Sequence, residues 1–373
     1  MKKYLTAVRH VLYNLATDKT IGVLASIVKF CLLILSFIYR IIIRLVMFLS
    51  CRKQYQSKCK VISVGNITLG GTGKTPLVEF IARYLKEHGH KPAILSRGYK
   101  RRRTKDEGRR TREEGRGMRD EGSYEVMGDE PYMLQKNLVD IPVLVGSNRI
   151  KSMESSSVVD LGVDIFILDD GFQQWGIKKD LEIVTIDAIN PFGNRHMLPR
   201  GILRQPLSTL KKADIFVLTK TDISPDVEIV KKSLAYINPR AVIVETVHEP
   251  AGLYPLNRRN DLLDMNAFVH ENISLVSGIA DHGYFLKTVQ KLGINPSLVF
   301  NFPDHYDYSL DDIEDIVKKS QDKGINFIII TEKDAVKFCR LPITGLSADQ
   351  RILVLQIKLK IIKNEQEFNS RLL

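Results

Sequence analysis

The stretch Val61–Leu77, VISVGNITLGGTGKTPL, constrains this chain most. An apolar run, Val61-Ile62-Ser63-Val64, passes through Gly65-Asn66 into a glycine-rich segment and then Lys74-Thr75. Leu77, Val78, Ile81, Ala82 and Leu85 follow at helical spacing, so the order is strand, glycine loop, helix. Glycines let backbone N–H groups approach an anion, and the helix N-terminus adds partial positive charge. In that setting Lys74 reaches the β- and γ-phosphates of a nucleotide and the Thr75 hydroxyl suits Mg²⁺. Pro76 fits the first helical turn, where its missing N–H costs nothing. The common phosphate-loop pattern opens with Gly, whereas this chain has Thr68 there.

Other strand ends carry polar groups suited to the same chemistry. The apolar run Val163–Leu168 ends in Asp169-Asp170-Gly171, where a phosphate-binding enzyme holds Mg²⁺ directly or through water. Arg200 and Arg204, in LPRGILRQP, are candidate phosphate clamps or plain surface arginines. Ile215–Leu218 runs into Thr219-Lys220-Thr221-Asp222, which resembles the base-reading TKxD of P-loop GTPases but is short. Asp129, in GDEP, either caps a helix or points into a site. His305, in PDHYDY, is either a structural histidine or a site residue reaching across from a second domain. Strands alternating with helices predict a mainly parallel sheet covered on both faces, with ligands at the carboxyl ends of its strands.

At 373 residues the chain has room for two domains. The net charge of +12 favours an anionic partner: a phosphorylated substrate, an anionic membrane or nucleic acid. Ile21–Ser50 is strongly apolar but is interrupted by Lys29, Arg40 and Arg44. It fits a helix lying in the membrane interface, its basic residues reaching head groups. A spanning helix and a buried core helix are the alternatives. The segment Lys100–Ser123 mixes both charge signs and is apolar only at Met118, which predicts a mobile loop. It lacks the interleaved aromatic residues of a nucleic-acid surface, so no nucleic-acid partner is expected. Cys31, Cys51, Cys59 and Cys339 show no metal-ligand spacing and are expected to be free thiols.

Seven stretches, SVGNITLGGTGKTP, LSRGY, GDEPYML, DIFILDDGFQQ, LPRGILRQP, FPDHYDY and TEKDAVK, occur in order over roughly residues 60–337. Together they resemble the tetraacyldisaccharide 4'-kinase (lipid A 4'-kinase) family, whose pattern includes the Thr68 variant of the phosphate loop. The resemblance implies a P-loop NTPase-like, mainly parallel α/β core, a smaller C-terminal α/β domain joined by a short β-ribbon, and an N-terminal membrane-associated helix. The corresponding bounds are 1–55, 56–250 (with the charged loop at 100–123) and 251–373. It implies transfer of the ATP γ-phosphate to the 4'-hydroxyl of tetraacyldisaccharide 1-phosphate, giving lipid IVA, at the cytoplasmic face of the bacterial inner membrane.

Carried onto this sequence, the resemblance has Thr68, Leu69, Gly70, Gly71, Thr72, Gly73, Lys74 and Thr75 cradling ATP. Thr75, Asp169 and Asp170 serve Mg²⁺. Asp129 is the general base with His305 as its partner, domain closure completing the site, and Arg204 lies near the transferred phosphate. Gln205 stands where the family usually has Glu. The competing readings are a membrane-associated P-loop NTPase switch, with TKTD as its only base-reading candidate, and a membrane adaptor with a vestigial phosphate loop.

Overall fold

The computed structural model describes residues 15, 18, 20–98, 127–155, 158, 160–343, 345–346 and 349–373. The charged loop expected at Lys100–Ser123 lies outside the described residues. The elements in chain order are α1 (Val23–Cys51), β1 (Lys60–Gly65), α2 (Lys74–Glu87), β2 (Pro92–Ser96), α3 (Asp129–Asn137), β3 (Val143–Val145), α4 (Arg149–Met153), β4 (Ile165–Asp169) and β5 (Leu181–Asp187). There follow β6 (Ile215–Thr219), α5 (Val227–Ile237), β7 (Val242–Pro255), β8 (Ile273–Ser277), α6 (His282–Gln290), β9 (Leu298–Asn301), α7 (Leu310–Gln321), β10 (Phe327–Thr331), α8 (Glu332–Phe338), β11 (Arg351–Lys363) and α9 (Glu365–Leu372).

The chain divides into two compact units. The first comprises 1–96, 148–247 and 361–373, and the second comprises 97–147 and 248–360. This differs from the linear reading. The segment carrying Asp129 packs with the second unit, and the C-terminal helix α9 packs with the first. The reason is tertiary: α3 packs against α8, and Lys60 at the start of β1 donates to the carbonyls of Leu372 and Leu373. Strands β7 and β11 each run from one unit into the other.

In the first unit the strands run β2-β4-β1-β5-β6-β7, all neighbours parallel. Val61, Ile62 and Val64 on β1 and Ile165–Leu168 on β4 are buried, as a sheet covered on both faces requires. The predicted face of α2, Leu77, Val78, Ile81, Ala82 and Leu85, is buried against that sheet. The register pairs Val64 with Asp169 and Asp187 with Thr219, which lines the polar strand ends along one edge. In the second unit β11-β10-β8-β9 form a parallel sheet whose core includes Ile328, Ile330, Val276 and Phe338.

Gly65, where β1 turns into the loop, admits no side chain. A Cβ there would lie 2.5 Å from both the backbone nitrogen and the Cβ of Phe172. Neither can withdraw, because the Gly171 N–H is tied to the Val64 carbonyl at 2.9 Å. Gly65→Ala is expected to cost about 1–3 kcal/mol, read as a lower urea midpoint at unchanged slope. A neutral result would mean that the turn moves freely.

Helix α1 is long and apolar enough to cross a membrane, and little of its apolar stretch is buried. One stripe is nonetheless committed to the first unit. Buried Ser36 donates to the Met197 carbonyl at 2.8 Å and accepts from the Arg200 N–H at 2.9 Å. The Tyr39 hydroxyl donates to the Arg204 carbonyl at 3.1 Å, and Tyr39 and Ile43 pack against the core there. The remaining face, including Ile27, Phe30, Phe37, Ile41 and Phe48, is exposed. The core-helix alternative is therefore overturned.

Candidate functional site

The phosphate loop is shaped by its backbone partners. Leu69 N–H donates to the Ile202 carbonyl and Arg204 N–H to the Ile67 carbonyl, so Thr68 is held opposite Leu203. That pairing accommodates a β-branched residue where other phosphate loops open with glycine. Gly70 (φ +108°) and Gly73 (φ +76°) occupy backbone conformations that favour glycine. Gly73 is the N-cap of α2 and supplies no side-chain acceptor, so the first-turn N–H groups are not satisfied by a capping side chain. Thr72 anchors the loop: its hydroxyl bonds Thr185 Oγ1 at 2.8 Å and accepts from Asn66 Nδ2 at 2.9 Å.

Asp170 lies at the centre of the charges facing this loop. Its carboxylate takes a bidentate contact from Arg204, with Nη1 at 3.0 Å and Nη2 at 2.9 Å, and Lys74 Nζ stands 3.6 Å away. Burial opposes its charge, but Lys74 and Arg204 outweigh burial and hold its pKa below the ordinary carboxylate value. Arg204 also donates to both the side-chain and main-chain oxygens of Asn66. Asp170 itself has φ +51°, uncommon for a residue with a side chain. Asp169 is buried, accepts from Ser96 Oγ at 2.9 Å, and its carbonyl accepts from buried Arg149 at 2.6 Å. Arg200, the other candidate clamp, instead pairs with Asp18 at 2.7 Å.

Thr75 and Asp169 offer the hard oxygen donors that Mg²⁺ takes, and both are buried at the loop and the adjoining strand end. Among the described residues no cluster of three or more His, Cys, Asp or Glu side chains forms a metal cage. A metal held through two protein oxygens plus substrate phosphates fits that arrangement, as Mg²⁺ sites commonly do. Gln205 is buried, and neither atom of its amide has a partner among the described residues.

The second unit contains its own pair. Asp129 is buried in the first turn of α3, but the N-cap is Gly128, so Asp129 is not a helix cap. His305 Nδ1 lies 3.3 Å from Asp129 Oδ2. The expectation that His305 reaches across from another domain is corrected: 97–147 and 248–360 belong to one unit, so the two residues meet within it. His305 has φ +57°, and its N–H donates to the Gly278 carbonyl. Lys333 Nζ is 3.2 Å from His305 Nε2 and also bonds Glu130 and Asp304. Burial disfavours the Lys333 charge, but those carboxylates outweigh it and raise its pKa. An ammonium donating to Nε2 assigns the imidazole proton to Nδ1, where it donates to Asp129.

Sequence reasoning missed Lys333 and Lys337. Buried Lys337 lies 3.7 Å from Asp129 and 3.4 Å from Asp334, whose other oxygen accepts from Gly278 N–H and the Thr331 hydroxyl. Their i, i+4 spacing on α8 was visible in TEKDAVK, yet nothing local pairs them with a residue 200 positions earlier in the chain.

Because α1 bonds the Met197 and Arg204 carbonyls and the Arg200 N–H, its polar stripe is expected to stabilise the first unit. Ser36→Ala combined with Tyr39→Phe is expected to cost about 1–3 kcal/mol, seen as a lower urea midpoint in detergent. An unchanged midpoint would show that the helix merely rests on the loop.

The comparisons with known proteins agree with one another. A family model described as LpxK, tetraacyldisaccharide-1-P 4'-kinase, matches residues 28–373. A tetraacyldisaccharide 4'-kinase from Halothermothrix orenii is 37% identical over 344 residues, covering 88% of each chain. One from Syntrophus aciditrophicus is 34% identical over 308 residues, covering 79% of this chain and 80% of that protein. A crystal structure of LpxK from Aquifex aeolicus in complex with ATP is 28% identical, with a TM-score of 0.69 over 92% of this chain and 98% of that one.

Proposed function

Because this chain belongs to the tetraacyldisaccharide-1-P 4'-kinase family, we propose that it transfers the γ-phosphate of ATP to the 4'-hydroxyl of tetraacyldisaccharide 1-phosphate, a step of lipid A biosynthesis giving lipid IVA. The observation that carries this reading is the extent of the family match. Residues 28–373 take in both the phosphate loop and the Asp129–His305 pair, whereas a nucleotide switch needs only the first. The first unit is read as the kinase core and the second as the smaller α/β domain.

Residues Thr68–Thr75 cradle the triphosphate with loop N–H groups, and Lys74 supplies charge to it. Asp170 holds Lys74 and Arg204 in place until phosphate oxygens compete for them. Thr75 and Asp169 would hold Mg²⁺, with Asp170 joining once its two cations have moved to phosphate. The metal would offset charge on the phosphate oxygens. Asp129 accepts the proton of the attacking hydroxyl, and His305 Nδ1–H fixes the carboxylate's orientation.

The lipid partner is supported by a groove of about 510 Å³ between α1 and residues 195–208. Leu33 and Phe37 give it apolar surface, and Arg40, Arg44 and Arg195 give it positive charge. That mixture suits an anionic lipid. With the exposed apolar face of α1, it supports attachment at the cytoplasmic face of the inner membrane, where ATP is available.

The test is ATP-dependent phosphorylation of tetraacyldisaccharide 1-phosphate in detergent micelles. Bisphosphorylated product is expected with Mg²⁺, and removal of the metal by EDTA abolishes it. ATP hydrolysis without lipid product would overturn the kinase reading in favour of a switch.

A further inference from the structure

Asp334, the third residue of α8, is wholly buried in the second unit, and none of the roles above uses it. A carboxylate taken out of water is costly unless its oxygens are bonded and a cation stands beside it. Helix capping does not account for it. In α7 the residue at the same position, Asp312, reaches back to the N–H of its own cap, Ser309, at 2.8 Å. Asp334 takes the hydroxyl of its cap, Thr331, at 2.7 Å, but directs its remaining bonds to other elements. Its Oδ2 accepts from the N–H of Gly278, just past β8, at 2.9 Å. The Gly278 carbonyl in turn accepts from the His305 N–H at 3.2 Å. Its Oδ1 lies 3.4 Å from Lys337 Nζ, which stands 3.7 Å from Asp129 Oδ2. Asp129 and His305 close the ring at 3.3 Å. The ring leaves no room for a side chain at Gly278, where a Cβ would lie 2.9 Å from Asp334 Oδ1 and 2.8 Å from the Tyr308 hydroxyl. Lys337 Nζ also sits 5.7 Å from the centre of the Tyr308 ring, on the loop that bears His305.

We propose that Asp334 is a positioning residue for phosphoryl transfer, fixing how Asp129 and His305 face one another through two arms of one carboxylate. One arm is the Gly278 peptide, which holds the main chain of His305 in its φ +57° conformation. The other is Lys337, whose ammonium is shared between Asp334 and Asp129. A base displaced by about an ångström from its hydroxyl loses much of its rate advantage, so a ring that fixes both partners bears directly on kcat. All five residues of the ring belong to the second unit, so the arrangement is preformed within it. The inference rests on the kinase reading for its reaction and on the geometry alone for its effect on His305.

The experiment compares kcat for lipid phosphorylation in the wild type, Asp334→Asn, Asp129→Asn and the doubly substituted protein, all full-length in detergent. Asp334→Asn is expected to lower kcat about 10–100-fold, the effect of a small misplacement, with both KM values within about threefold of wild type. Added to Asp129→Asn, it should lower kcat by no more than about twofold further, because the pair it positions no longer works. Ser320→Ala breaks a buried 2.8 Å hydroxyl pair with Ser274 elsewhere in the unit, and serves as the structural control. It should lower the urea midpoint and leave kcat unchanged. If Asp334→Asn fails to fold, Asp334→Asn with Lys337→Met removes the ion pair as a whole, a change that folds commonly tolerate, and carries the same expectations. A second readout needs no lipid. The Nδ1–H signal of His305 in protein carrying isotope-labelled histidine, assigned by its absence in His305→Gln, should shift in Asp334→Asn and not in Ser320→Ala. An unchanged kcat, a loss that multiplies with that of Asp129→Asn, or a His305 signal unmoved by Asp334→Asn would overturn the proposal. A shifted signal in a chain whose wild type makes no lipid product leaves the geometry standing and removes the kinase reading.

Discussion

Asp129→Asn is expected to lower kcat for lipid phosphorylation by about 10²–10⁴-fold, the usual contribution of a positioned general base. Asn is nearly isosteric and still accepts from His305 Nδ1–H, so the fold should survive and the KM should change much less than kcat. The loss is chemical: an amide oxygen does not take the hydroxyl proton. Lys337 provides a second arm of the same test. Its buried ammonium stands 3.7 Å from Asp129 and 3.4 Å from Asp334, so it helps to hold the Asp129 carboxylate in place. Lys337→Met should lower kcat in the same direction as Asp129→Asn, by a smaller factor, with KM changing less. An Asp129→Asn variant that retains wild-type kcat would return Asp129 to a structural role, and an unchanged kcat in Lys337→Met would separate Lys337 from it.

Asp170→Asn is expected to lower kcat/KM by about 10²–10³-fold, the scale of losing an electrostatic element of a preorganised site. The amide keeps the shape but leaves Lys74 and Arg204 sharing a neutral partner. Both then lose the contact that holds them toward the loop, and the change should fall on phosphoryl transfer rather than on lipid binding. The same substitution has a stability signature. Asp170 has a depressed pKa in the folded chain, so its ion pairs stabilise the fold above the ordinary carboxylate pKa and fade as pH falls through the folded value. Urea midpoints of wild type and variant should therefore differ more at pH 7 than at pH 3. A constant difference would mean that the carboxylate's charge contributes nothing to the fold.

Local sequence carried most of the first unit's nucleotide machinery. The phosphate loop is contiguous, and each of its features (strand, φ-positive glycines, uncapped helix start, lysine) acts within a dozen residues. The DDG turn was legible for the same reason, since an apolar strand ending in acid is a pattern along the chain. What could not be read were pairings between distant segments. Asn66 meets Arg204 across 138 positions, and Ser36 meets Met197 across 161. Lys333 meets Glu130 across 203. Nothing in the periodicity around any one of them names its partner.

The sequence by itself determined the class of chemistry. A glycine loop at a helix start can only present N–H groups and a lysine to an anion, wherever the rest of the chain goes. Tertiary structure alone decided which residues share a unit. It took residues 127–147 away from the strands that flank them in sequence and packed them with 248–360, so that Asp129 and His305 meet without crossing between units. It also gave one stripe of an otherwise exposed apolar helix to the loop bearing Arg204. The physical reason is common to both. Burial and hydrogen bonding reward whichever surfaces fit in space, and that fit depends on side chains contributed by separate stretches of chain.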